Sequence, residues 1–218
     1  MPATAHETKD LIDRVEHDGY VLLRGVTWEA YEATLDAIGD RPLFINYDRG
    51  EMEVMAPSQQ HDRDKSFIAR MLETMALELD IEMECFGSTT WKRKKLGRGL
   101  EPDECYYIGN AAKIQHAEID LEKDPPPDLA VEIDIRRSAL DRASIYAALG
   151  VAELWRYDGK TLTFFHLKSD GTYSAETRSL NFQKLNSADV ERLLNLRQTL
   201  SSNQVLKQFV NWIRETQR

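Results

Sequence analysis

Two acidic residues, Glu132 and Asp134, lie in a stretch where Leu129, Val131, Ile133 and Ile135 alternate with Asp128, Ala130, Glu132 and Asp134. A period of two is that of a β-strand, so this one would carry an apolar face and a face rich in carboxylates. Side chains at i and i+2 on one face stand roughly 6 to 7 Å apart, near enough for two carboxylates to approach one cation. Like charges held that close raise each other's pKa unless a cation or a basic group compensates. The plainer alternative is a half-exposed edge strand whose polar face is simply solvated.

A second acidic motif, Glu101-Pro102-Asp103, follows directly on the basic run Lys92-Arg93-Lys94-Lys95 and Arg98. Five of the 28 Lys and Arg residues thus fall in one short segment of a chain whose formal net charge is -9. Separating charge in this way suits a cleft for a polyanion. Carboxylate oxygens are hard donors, suited to Mg²⁺ or Mn²⁺, which need few protein ligands when substrate phosphate completes the shell. A solvated basic hairpin loop would leave the same trace.

The elements that must position these groups can be read from periodicity. Trp28, Tyr31, Leu35 and Ile38 are spaced as in a helix opened by Thr27. Residues 43–47 and 52–55, around Asp48-Arg49-Gly50, read as a β-hairpin. Residues 60–80 form the most regular helical pattern, with Ile68, Met71, Leu72, Met75 and Leu79 inward. Strands are predicted at 81–86, 88–93, 104–108 and 129–135, with a basic turn after 93 and a polar connection over 109–124. A helix over 140–149 ends at Gly150, and strands at 153–157 and 162–167 flank Asp158-Gly159. Two C-terminal helices follow. Ser187 is expected to cap the first, with Val190, Leu193 and Leu194 inward; the second carries Val205, Leu206, Phe209, Trp212 and Ile213 on one stripe. The order describes a mixed α/β single domain, a central mixed β-sheet flanked by helices.

Composition narrows the classes. With 218 residues, 42% hydrophobic, and only 11 Gly and 7 Pro, the chain can build a substantial core and is neither collagen-like nor disordered. No stretch reaches the roughly 18 to 20 apolar residues of a membrane span. The start, with Glu7, Lys9, Asp10 and Asp13, is unlike a signal peptide, and a cytoplasmic protein is expected. Cys85 and Cys105 have no metal-binding spacing.

Taken in order, Met55-Ala56-Pro57-Ser58 with His61, Glu101-Pro102-Asp103, Pro127-Asp128-Leu129-Ala130-Val131-Glu132-Ile133, and Asp141-Arg142, Tyr146 and Gly150-Val151-Ala152-Glu153-Leu154-Trp155 form a set. This set resembles the Uma-type family of putative restriction endonucleases, placed in the PD-(D/E)XK nuclease superfamily. The resemblance covers residues 25–190, leaving an N-terminal segment 1–24 and a C-terminal helical extension 191–218 that packs on the domain or forms an oligomer interface, a homodimer for example. It implies a restriction-endonuclease-like core and metal-dependent hydrolysis of phosphodiester bonds in nucleic acid, DNA first, with Mg²⁺ or Mn²⁺ as cofactor.

Residue by residue, the resemblance makes Asp103 and Glu132 catalytic acids that hold the metal. Asp128 is a third ligand or a residue ordering the strand entrance. Asp134 occupies the position where the superfamily motif has lysine. The Uma-type pattern moves that lysine to the following helix, four residues before a tyrosine, and here Arg142 stands before Tyr146. Arginine stays protonated, so Arg142 would stabilise charge but could not act as a base; the alternative is a helix-surface arginine paired to an acid. His61 could touch the site, with capping or packing as its plainer role. Lys92, Arg93, Lys94, Lys95 and Arg98 would position a nucleic-acid backbone. The rival reading is a binding or assembly protein that kept the fold and lost efficient chemistry, favoured by Arg142 and by the net charge of -9.

Overall fold

The computed structural model describes residues 19–39, 41–114, 119–135 and 138–216. The acidic start of the chain and most of the segment 1–24 lie outside these residues. Among the described residues there are two sheets and five α-helices, a mixed α/β fold.

The first sheet is built around the expected hairpin, β2 (Phe44–Asp48) and β3 (Glu51–Met55). Arg49 and Gly50 turn it with φ of 47° and 97°, the left-handed pair that a two-residue turn needs to match strand twist. β1 (Tyr20–Arg24) pairs with β3, while β5 (Trp91–Arg93) and β6 (Arg98–Leu100) extend the other edge, all antiparallel. Helix α1 (Trp28–Ile38) covers this sheet, its N-terminus capped as expected by Thr27, which accepts from the Ala30 N–H. Trp28, Tyr31, Ile45, Tyr47 and Val54 make the small core between them. A strand at 98–100 was not expected. The basic turn is only a single 3₁₀ turn, Lys94–Leu96, after which Arg98, Gly99 and Leu100 return along β5.

The second sheet has the order β11-β10-β9-β8-β7-β4. It contains β4 (Glu84–Cys85), β7 (Glu104–Tyr107), β8 (Leu129–Ile133), β9 (Glu153–Tyr157), β10 (Leu162–Leu167) and β11 (Tyr173–Glu176). β8 and β9 are parallel, joined through α3 (Arg142–Leu149); the other pairs are antiparallel. One central sheet was expected and two are found. The predicted strands at 81–86 and 88–93 shrink to Glu84–Cys85 and Trp91–Arg93, and these two belong to different sheets.

β8 is not an edge strand: all five of its residues are buried. Leu129, Val131 and Ile133 face a core shared with α2 (Gln59–Leu79), α4 (Ser187–Leu196) and α5 (Ser202–Thr216). Ala130 faces a second core with Ile145, Tyr146 and Leu149 of α3. The alternation is real, yet α3 covers the carboxylate face that a solvated strand would expose. Helix α4 is capped not by Ser187 but by Asn186, which forms a reciprocal capping box with Asp189.

The stripe of α5 lies in the main core, with Val205, Phe209 and Ile213 buried against α2. Buried aromatic truncation leaves a cavity, so Phe209→Ala should cost about 3–5 kcal/mol. Urea unfolding should show a lowered midpoint with an unchanged slope.

Candidate active site

Three elements bring the acids together. The β7–β8 register pairs Glu104 with Val131, and continuing it by one residue sets Asp103 opposite Glu132. Asp103 Oδ2 accepts the Ile133 N–H at 2.6 Å, which fixes this carboxylate against the strand. The parallel β8–β9 register places Arg156 beside Glu132 on the other side. Helix α3, opened by Asp141, then lays Arg142 and Tyr146, one turn apart, over the same face.

Glu132 is 2% exposed. The Tyr146 hydroxyl donates to its Oε1. Arg142 Nη1 lies 2.5 Å from its Oε2, an ion pair off the line of a hydrogen bond, so Oε2 is a buried oxygen without one. Arg142 Nη2 also reaches Asp134 Oδ1 at 3.4 Å. Asp134 follows the strand directly and takes a second cation, Arg156, whose Nε donates to Oδ2 at 3.0 Å. His61, in the first turn of α2, places Nε2 2.8 Å from Asp103 Oδ1 and Nδ1 3.2 Å from Asp62 Oδ1. Ser58 caps that helix by accepting the His61 N–H at 3.2 Å.

These contacts shift proton affinities. Burial pushes Glu132 up to about 7; Arg142 opposes the rise and Asp103 adds to it. Burial alone would lower His61, yet the Asp103 carboxylate, with Asp62 behind it, outweighs that and raises it above its ordinary value. Arg142 is raised despite its burial because Glu132 and Asp103 hold it charged.

A recess of ≈ 450 Å³ opens beside the cluster, lined by Glu132, Asp134, Ser138, Arg142, Tyr146 and Arg156 among others. A second, of ≈ 380 Å³, lies on the other side of β8 and includes Glu53, Met55, His61, Ile133 and Ser138. The structure therefore gathers Asp103, Glu132, Asp134, Arg142, Tyr146 and His61.

It does not gather Asp128. Four residues back along the strand, about 13 Å at strand rise, Asp128 Oδ2 accepts the Ile108 and Asn110 N–H groups and Oδ1 the Asn110 amide, which orders the strand entrance. The basic run is likewise engaged with other partners. Lys92 pairs with Glu32 at 3.0 Å, Lys94 with Glu29 at 3.2 Å, Lys95 with Glu122 at 3.1 Å and Arg98 with Asp48 at 2.9 Å. Arg93 donates to the Leu121 carbonyl, and Arg98 also holds the Ser144 carbonyl of α3. Exposed pairs of this kind are worth about 0–1 kcal/mol, so the lysines can exchange partners, but the run carries little net charge.

Arg156 and Glu53 were missed. Glu53 is wholly buried and accepts from Ser138 and from the Ala139 N–H at 2.6 Å, pinning the segment between β8 and α3 to the first sheet. In the sequence both sit in ordinary strand alternation, with no motif around them. Glu101 proves to be a clamp: it accepts the Ile45 N–H at 2.9 Å and the Thr90 hydroxyl at 2.8 Å, setting the approach to Asp103.

Asp103 and Glu132 are hard oxygen donors of the kind a divalent cation takes, but Glu132 Oε2 is engaged by Arg142 at 2.5 Å. That cation could not sit there alongside the guanidinium, and no group of three or more His, Cys, Asp or Glu able to hold a metal ion forms among the described residues.

The acids and their basic partners thus form one buried cluster beside a polar recess. A model of the Uma2 family, described as a putative restriction endonuclease, matches residues 28–201. The chain belongs to that family. Among solved structures, a putative nuclease belonging to DUF820 from Anabaena variabilis is similar over 68% of this chain and 89% of that one, with 15% identity and a TM-score of 0.49. No curated protein matches the sequence. Among the described residues no helix is long and apolar enough to cross a membrane.

Glu132 and His61 both hold protons more tightly folded than unfolded, so each contributes stability at low pH that is lost as pH rises through its folded pKa. Glu101 and Glu104, raised by burial, act in the same direction. Stability in urea should fall as pH rises from the ordinary carboxylate range through about 7, and further as His61 loses its proton. His61→Asn should flatten the upper part of that slope and Glu132→Gln the lower; a slope unchanged in both variants would show that neither group titrates as described.

Proposed function

We propose that this chain hydrolyses phosphodiester bonds of nucleic acid, DNA foremost, at the recess beside Asp103 and Glu132. The observation that carries the reading is the convergence of Asp103, just before β7, with Glu132 of β8 and Arg142 of α3, the last two lining that recess. Membership of a family described as a putative restriction endonuclease supports it.

The residues divide the work by their chemistry. Arg142 and Arg156 are permanently charged, so they neutralise a phosphate in the recess and do not accept a proton. Tyr146 and the Ile133 N–H hold Glu132 and Asp103 in orientation. Glu132 Oε2, which Arg142 contacts at 2.5 Å, is the oxygen that would take up a cation or a proton from water once the guanidinium turns to a phosphate. Asp103 and Glu132 would hold Mg²⁺ or Mn²⁺, which when bound lowers the pKa of water and shields the charge of the phosphate. Phosphate contacts of this kind carry no base sequence, so specificity resides elsewhere.

A second reading has its own support. With Arg142 lodged on Glu132 and the basic run paired to acids, the chain would bind nucleic acid weakly without cutting it. Glu132→Gln separates the two. In a nuclease it should lower cleavage of plasmid or oligonucleotide by about 100-fold or more while far-UV dichroism stays unchanged. Cleavage that persists at the wild-type rate removes Glu132 from the mechanism.

A further inference from the structure

Each acid of the cluster already faces a basic side chain. Asp103 faces His61 at 2.8 Å, Glu132 faces Arg142 at 2.5 Å, and Asp134 faces Arg156 at 3.0 Å. A divalent ion placed on Glu132 Oε2 would lie against the permanently charged Arg142 guanidinium in a site where Glu132 and Arg142 are 2% and 7% exposed. Glu132 has only one oxygen to offer, because Oε1 is committed to the Tyr146 hydroxyl. Oε2, the oxygen a metal would need, is the one in contact with Arg142.

We infer that Arg142 is a tethered cation that competes with a divalent metal ion for Glu132 Oε2, so that the free protein keeps its metal site closed. This rests on the reading of Asp103 and Glu132 as metal ligands, though not on cleavage. The guanidinium has somewhere to go: the recess of ≈ 450 Å³ adjoins it and is lined by Asp141, Ser138 and Arg156 as well as by Arg142 itself. A phosphodiester entering there offers Arg142 a new anionic partner with matching fork geometry. Release of Glu132 then frees the oxygen for the metal, so phosphate and metal favour each other's binding. Such coupling is reciprocal. Arginine serves this exchange better than lysine, since two of its nitrogens already reach Glu132 and Asp134 together.

The test needs no nucleic acid. Mn²⁺ is titrated calorimetrically into the wild-type chain, into Arg142→Gln and into Arg142→Gln/Glu132→Gln. Arg142→Gln should bind Mn²⁺ about tenfold more tightly than wild type, or better, and the double variant should lose the gain. Mn²⁺ should also raise the thermal midpoint of Arg142→Gln more than that of the wild type. Equal or weaker binding in Arg142→Gln, or no binding to either protein at millimolar Mn²⁺, overturns the inference. If removing the guanidinium unfolds the chain, recovery of folding on adding Mn²⁺ supports competition and failure to recover defeats it. Loss of the nuclease reading would look different: tighter Mn²⁺ binding in Arg142→Gln, but no cleavage by any variant.

Discussion

The structure turns on a carboxylate buried in the middle of a sheet. Glu132 sits on a strand whose two faces are both covered, and removing a charged group from water costs several kcal/mol even after relaxation. That cost must be met locally. Tyr146 and Arg142 meet it from α3, so the helix is held over β8 by polar contacts as well as by Ile145 and Leu149. Because α3 is also the crossover between the parallel strands β8 and β9, the same interactions help fix the one parallel pairing in the described sheets. Asp103 and Asp134 fall into place around this pair, each with a basic partner of its own, His61 and Arg156.

Other buried acids show what distinguishes a site from a staple. Glu153 is also fully buried, but its hydrogen bonds come from the Leu180 and Asn181 N–H groups, the Trp155 indole, the Ser179 hydroxyl and the Asn181 amide, which tie a turn to the sheet, with His166 Nε2 farther off at 3.8 Å. Glu53 is satisfied in the same manner by Ser138 and Ala139. Asp64 pairs with Arg197, which lies over the Phe67 ring, and neither lines the recesses described above. Glu132 and Asp134 differ in their partners: both meet the Arg142 guanidinium, and Asp134 also meets Arg156. A carboxylate saturated by backbone donors cannot release them without unfolding, whereas a cation on a long side chain can be exchanged for another.

The two sheets depend on each other through this region. Glu53 pins the segment that leads into α3, and Arg98 of the first sheet holds both Asp48 and a carbonyl of α3. The basic run that looked like a nucleic-acid contact is thus partly a structural joint. Its lysines remain near the surface, in exposed pairs with acids of α1 and of the connection after β7. A substrate phosphate would have to replace those acids, one reason for a chain of net charge -9 to depend on local rather than long-range attraction.

Local pattern alone specified a good deal: α1, α2, the β2–β3 hairpin, the alternation of β8, the Gly150 stop of α3 and the hairpin at Asp158-Gly159. Each follows from period, capping or turn chemistry within about twenty residues. The ordered motifs also pointed to the family and to Asp103, Glu132 and Arg142. What the tertiary structure decided were the facts that depend on residues far apart in sequence. These include the split into two sheets, the unexpected β6 and β11, and the opposite fates of Asp128 and Asp134, which look equivalent along the strand. Asp128 meets the backbone at 108–110 and becomes a turn anchor, while Asp134 meets Arg142 and Arg156 and joins the site. Sequence determines which groups a strand carries on each face; which charges those faces meet is set by long-range packing, because desolvation and ion pairing depend on neighbours that periodicity does not name.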